Sequence, residues 1–253
     1  MNFVVIIPGR LHSSRLPGKV LLEIGGLPMI EQVRRRGLES GAARVVVATD
    51  HPEVAERVQA FGGEALLTDP SHRCGSERLA EAVRTLGLPD DAVVVNLQGD
   101  EPGMAPLLIQ AVARPLMERP EVPMATAAVP ITCWEELNDP HVVKVVLAGE
   151  RALYFSRAPI PWERDRFPLP PGEVLPEGLF WRHLGLYAYR ARFLQEYAAW
   201  PPSPLELCES LEQLRAVERG VPILVHRAEA APLPGVDTLD DLARIRGHFE
   251  GVV

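Results

Sequence analysis

The chain has 253 residues, 47% of them hydrophobic, with a formal net charge of −8. That length can bury one large core, or one with a smaller satellite, and the acidic balance argues against a nucleic-acid polymer as partner. No apolar stretch reaches the ~20 residues that span a bilayer, and strand-like FVVII begins at Phe3, so neither membrane insertion nor a signal peptide is expected.

Cys74, Cys133 and Cys208 are far apart, odd in number and without metal-ligand spacing, which fits a reducing cytoplasm. Lysine occurs only at Lys19 and Lys144, with arginine at every other basic position. A biased genome or a hot habitat would explain that scarcity. The lysines that remain are still candidates for places where a compact ammonium serves and a planar guanidinium does not.

In chain order, FVVII (3–7), RVVVA (44–48), EALL (64–67), AVVVN (92–96), MATAAVPI (124–131) and VVKVVL (142–147) read as strands. Amphipathic stretches at 28–40, 52–61, 75–86 and 106–117 read as helices between them. Near-continuous apolar strands alternating with helices predict a parallel sheet covered on both faces. Segment 157–178, dense in proline and charge, predicts a mobile loop or lid. YAYRARFLQEYAAW and PLELCESLEQLRAVERG have helical period, VPILVH is a last strand and TLDDLARIRGHF a last helix. One α/β domain spanning 1–253 with an inserted arm is the simplest organisation.

The first strand ends in Pro8-Gly9-Arg10 and runs into Ser13, Ser14, Arg15 and Lys19. The spacing matches neither a P-loop nor a Gly-x-Gly-x-x-Gly dinucleotide turn. It leaves a basic loop at the carboxyl end of a strand, where open α/β sheets bind ligands. A second group, Gln98-Gly99-Asp100-Glu101-Pro102, ends another apolar strand at the same edge, and a carboxylate beside a polyphosphate is how Mg²⁺ is held. Asp237 precedes Thr238 and Asp241, which form a capping box for the last helix, so locally it reads as structural.

Seven segments in order, PGRLHSSRLPGK (8–19), HRCGSER (72–78), QGDEP (98–102), YFSRAPIP (154–161), HLGLYAYR (183–190), LEQLR (211–215) and GVDT (235–238), closely resemble the 3-deoxy-manno-octulosonate cytidylyltransferases. The resemblance runs from Ile6 to Leu242. It implies a Rossmann-like nucleotidyltransferase fold, with a mostly parallel sheet and an inserted dimerisation or lid arm. It also implies an Mg²⁺-dependent transfer of CMP from CTP to an acidic keto-sugar, a homodimer, and a place in lipopolysaccharide or surface-polysaccharide synthesis.

By matching position, Pro8 and Gly9 would meet the nucleotide, and Arg10, Arg15 and Lys19 its phosphates. Arg73, Cys74 and Gly75 would lie near cytosine and ribose, with Gln98 at the sugar. Asp100 and Asp237 would share the metal, reversing the local reading of Asp237. Arg157, His183, Tyr187, Glu212 and Gln213 would line the sugar pocket, His183 by hydrogen bonding rather than as a base. Cys74 stands where serine is common in the family, leaving backbone groups to read the base. A cytidylyltransferase for amino-Kdo or a sialic-acid-like sugar, and a nucleotide-binding protein without turnover, are the alternative readings.

Overall fold

The computed structural model describes residues 2–13, 15–72 and 74–251, so the expectations for Ser14 and Arg73 lie outside it. β1 (Phe3–Gly9) sends Val5 and Ile7 to one core and Ile6 to another, as a two-residue period requires. A small hairpin of β2 (Glu23–Ile24) and β3 (Leu27–Pro28) turns through Gly25 and Gly26, both at positive φ, into α1 (Met29–Glu39). There follow β4 (Arg44–Thr49), α2 (Pro52–Ala60), β5 (Glu64–Leu67), α3 (Gly75–Thr85), β6 (Val93–Asn96) and α4 (Pro106–Glu118), each close to where periodicity puts it.

The chain continues through β7 (Met124–Pro130), α5 (Trp134–Asn138), β8 (Lys144–Ala148) and β9 (Arg151–Ser156). After the arm come β10 (Trp181–Arg190), α6 (Ala191–Ala199), α7 (Pro204–Glu209), α8 (Leu214–Glu218), β11 (Ile223–Arg227) and α9 (Leu239–Phe249). The large sheet has the order β5-β4-β1-β6-β10-β7-β11-β9-β8. Side chains of α1, α2 and α4 fill the core on one face; those of α3, α6 and α8 fill the other.

The expected parallel sheet needs correction. β5, β4, β1 and β6 are parallel, but β10 is antiparallel to both β6 and β7, and β9 is antiparallel to β11 and β8. β8 and β9 are joined only by Gly149 and Glu150, with Gly149 at φ 62°, and a link that short allows a hairpin and no parallel crossover.

Two helical readings also change. In YAYRARFLQEYAAW, the residues up to Arg190 finish β10, and only Ala191–Ala199 is helix. PLELCESLEQLRAVERG is broken into α7 and α8 by Ser210, whose φ of 53° is the one positive value among described non-glycine residues. The arm 157–178 is irregular, as expected, and it is anchored to the body. Phe167, Leu169 and Leu175 pack with Ile131, Leu137 and Phe180, and Trp134 Nε1 donates to Leu169 O at 2.8 Å. Among the described residues no helix is long and apolar enough to cross a membrane.

Candidate active site

The site forms where β1 and β6 end on the same sheet edge. Gly99 is required there: a Cβ on it would lie 2.7 Å from Pro8 O, so only glycine lets the two strand exits cross this closely. Val236 N donates to Asp100 O at 2.8 Å and clamps the segment before α9 beside the 98–102 turn. α9 carries the expected capping box: Thr238 N donates to Asp241 Oδ2 at 2.9 Å and Asp241 N to Thr238 Oγ1 at 3.2 Å. Asp237 is thus placed by the helix start and by the Val236 clamp, and its carboxylate is left for other work.

That carboxylate meets Lys19. The Lys19 ammonium, buried on the short turn Lys19–Leu21, donates to Asp100 Oδ2 at 2.6 Å, Asp237 Oδ1 at 2.8 Å and Val236 O at 3.1 Å. Its three protons have three acceptors. Burial lowers its pKa, but the Asp100 charge and hydrogen bond, with those of Asp237, raise it overall. Arg15, largely exposed, reaches Asp237 Oδ2 at 2.9 Å. Beyond the expected role at the phosphates, the Lys19 ammonium joins the two carboxylates. Lys144, the other lysine, is remote and structural, bonded to Asp139 O at 2.9 Å and Val142 O at 2.6 Å.

Pro8, Arg10, Ser13, Arg15, Lys19, Cys74, Gly75, Gln98, Asp100, Glu212 and Asp237 line one cleft of about 400 Å³. Gly9 is buried behind them, its Cα beside Gly99, and serves the backbone geometry of the crossing. α3 opens on the cleft at Gly75, and its preceding residue, Cys74, gives no side-chain cap, so the first amides of an 11-residue helix face a position suited to an anion. Cys74 Sγ lies 3.1 Å from Ser76 Oγ, which donates to Glu212 at 3.0 Å. Burial raises the Cys74 pKa, so it remains a thiol. Burial likewise raises that of Glu212.

The donor set suits Mg²⁺. Asp100 and Asp237 are hard oxygen donors, both partly open to the cleft. No cluster of three or more potential metal ligands exists among the described residues. Mg²⁺ commonly accepts such a site, taking one or two carboxylates and completing its shell with water and substrate phosphate.

A second cavity of about 230 Å³ shares Gly75, Gln98 and Glu212 with the first. Tyr187 and Gln213 line it. Motif reading gave no role to Asn96, Ser76, Tyr189 and Tyr197 and none of its own to Glu101; all five line it too. The available signal was Asn96, a polar residue closing the apolar strand VVVN.

His183 does not line this cavity; it stands behind Tyr187, ring centroids 5.3 Å apart. The Thr126 hydroxyl donates toward Leu186 O at 2.8 Å and Leu184 O at 3.1 Å, so its oxygen is left to accept from His183 Nε2 at 2.9 Å. Desolvation lowers the His183 pKa to about 3, which keeps the ring neutral and gives it no role as a physiological base. Arg157 is also displaced from its expected place. Its guanidinium donates to Glu209 O at 2.7 Å and Pro140 O at 2.9 Å, and it lines neither cavity, so it ties down the turn that carries Glu212 and Gln213.

A basic loop and paired carboxylates at a parallel-sheet edge, opening into a second polar cavity, define a nucleotidyltransferase. The cytidylyltransferase family model matches residues 4–223, and the chain belongs to that family. It is 65% identical over 252 residues to the 3-deoxy-manno-octulosonate cytidylyltransferases of two Acidithiobacillus ferrooxidans strains, covering 98% of this chain and 100% of theirs. A solved CMP:2-keto-3-deoxy-manno-octonic acid synthetase complexed with CTP superposes with a TM-score of 0.90 at 40% identity, both chains fully covered. A cytidylyltransferase structure from Leptospira borgpetersenii, 14% identical, has a TM-score of 0.61 over 100% of this chain and 87% of that one, a likeness of fold alone.

Proposed function

We propose that this chain transfers CMP from CTP to the anomeric hydroxyl of 3-deoxy-manno-octulosonate, releasing pyrophosphate. The observation that carries the reading is one cleft with two compartments. Cations and paired carboxylates line the first, amide, tyrosyl and buried carboxyl groups line the second, and Gln98 and Glu212 stand in the wall between them. The relatives' names and the CTP complex of the 40%-identical neighbour support CTP and an acidic sugar as the occupants.

Nucleophile and electrophile are both anionic, so catalysis is chiefly positioning and charge neutralisation. Arg10 and Arg15 stabilise charge moving onto pyrophosphate, and the α3 amides at Gly75 orient the nucleotide. Lys19 holds Asp100 and Asp237 in register, and it is the nearest ammonium to an incoming phosphate. Mg²⁺ held by Asp100 and Asp237 would supply charge neutralisation and a lowered pKa for the attacking hydroxyl. Neutral His183 and Tyr187 shape the acceptor wall, and no side-chain base is required. We read the chain as one cytoplasmic domain, working as a homodimer and supplying an activated sugar for surface-polysaccharide synthesis.

Incubation with CTP, Mg²⁺ and a panel of acidic keto-sugars tests the reading, with the CMP-sugar and pyrophosphate measured directly. Turnover strongest with 3-deoxy-manno-octulosonate supports it. Preference for an amino or sialic-acid-like analogue would move the assignment to that sugar. CTP binding without pyrophosphate release would overturn it.

A further inference from the structure

Among the described residues, buried side-chain nitrogens or oxygens without a hydrogen-bond partner include Asn96 Oδ1, Glu101 Oε2 and Gln213 Nε2. These three residues come from three separate places: the end of β6, the turn after it, and the Ser210 break between α7 and α8. All three line the same 230 Å³ cavity. Folding alone gives no reason for this. Asn96 closes an apolar strand and pairs with Ile6 and Tyr187, a place where valine would pack without any polar loss. Gln213 is only 4% exposed and Asn96 3%. Converging unpaired groups at buried positions mark a site that is completed by a ligand.

The complement is also specific. Asn96 Oδ1 accepts and Gln213 Nε2 donates, while Glu101 and Glu212 put carboxyl groups in the same wall. A hydroxyl both donates and accepts and so satisfies such a set, whereas a carboxylate only accepts and would leave Asn96 Oδ1 unpaired. The rings of Tyr187, Tyr189 and Tyr197 provide the apolar sides against which a sugar's carbon skeleton can lie. We propose that Asn96 and Glu101, together with Gln213, form a hydroxyl-reading subsite that sets which sugar is accepted, an inference that rests on the acceptor-sugar reading above. The acidic end of the sugar then lies toward Lys19 and Arg15.

The test pairs residue changes with acceptor changes. KM and kcat are measured for the parent, Asn96→Ala and Glu101→Gln, using 3-deoxy-manno-octulosonate and single-deoxy analogues of its ring and side-chain hydroxyls. In the parent, removal of the hydroxyl that is read should cost about ten- to a hundredfold in kcat/KM. In Asn96→Ala or the isosteric Glu101→Gln, that penalty should largely vanish for one analogue, with KM for CTP and the melting temperature nearly unchanged. Folded variants that keep the parent's full discrimination, or that lose CTP affinity instead, overturn the subsite. If Asn96→Ala does not fold, Glu101→Gln, which keeps shape and size, decides alone. A parent that turns over no sugar in the panel overturns the proposed function and the subsite with it.

Discussion

Lys19 is the residue on which the site turns. Its ammonium has three short contacts, two to carboxylates, inside a wall that admits little else. A guanidinium is planar and wider, so Lys19→Arg should cut kcat at least tenfold despite conserving charge. Steady-state kinetics at saturating CTP check this, and a variant equal to the parent would refute it. Lys19→Met leaves Asp100 and Asp237 facing each other with only the largely exposed Arg15 on Asp237. Both are partly solvated, so the stability cost should be modest, about 1–3 kcal/mol. The vacated carboxylates should then bind Mg²⁺ more tightly without nucleotide, and thermal melts should show Mg²⁺ raising Tm more in Lys19→Met than in the parent. Asp237→Asn should lower turnover about a hundredfold with little change in Tm. A purely structural Asp237 would do the reverse. Lys19 and Asp100 were legible as motif residues, but their contact was not, because 81 residues separate them in the chain.

At the level of elements, two irregularities shape the second cavity. β10 pairs with β7 in register up to Leu184 opposite Ala127, then resumes at Tyr187 opposite Thr126. The bulge inserts two residues, and an even insertion preserves the alternation of faces, so His183 and Tyr187 stay on one side. The sequence spacing pointed to the same face through an ideal strand, and the pairing arrives there by another path. Thr126 fastens the bulge, and His183 is held neutral against it and against Phe155. A histidine whose folded pKa is near 3, against about 6.5 unfolded, binds fewer protons folded than unfolded between those values. Its contribution to stability therefore falls as pH drops below about 6.5. Relative to His183→Gln, the parent should lose about 1 kcal/mol per pH unit in that range. Urea titrations at pH 7.5 and 5 measure the difference, and a gap independent of pH would show the ring to be solvated. The second irregularity, Ser210 at positive φ, ends α7 and turns Glu212 and Gln213 into the cleft. Helical periodicity ran straight through this point, since serine is no helix breaker by composition.

Across the whole molecule, the parallel half of the sheet carries the cleft of Lys19, Asp100 and Asp237, and the mixed half supplies a wall of the second cavity through β10. The arm leaves β9 near the end of the sheet and packs on α5, away from the cleft. Leu153, Trp162, Val174 and Leu179 keep at least a third of their surface exposed at that end. Such apolar exposure suits the proposed dimer. Trp162→Glu should weaken association at least tenfold in sedimentation experiments. A parent that sediments as a monomer at micromolar concentration would remove that role from the arm.

The amino-acid order alone determined what is local or periodic: β1 and its basic loop, the strand and helix alternation to α4, the capping box at Thr238, and the carboxylate of Asp100 at a strand end. Each follows from a few neighbouring residues or from a repeating burial pattern. Only the tertiary structure decided that Lys19 joins Asp100 to Asp237, that Arg157 braces a turn, that the arm is anchored, and that Asn96 and Glu101 share a cavity with Gln213. These depend on side chains brought together by sheet order and by two backbone irregularities. A local pattern carries neither, because both are settled by packing between distant segments.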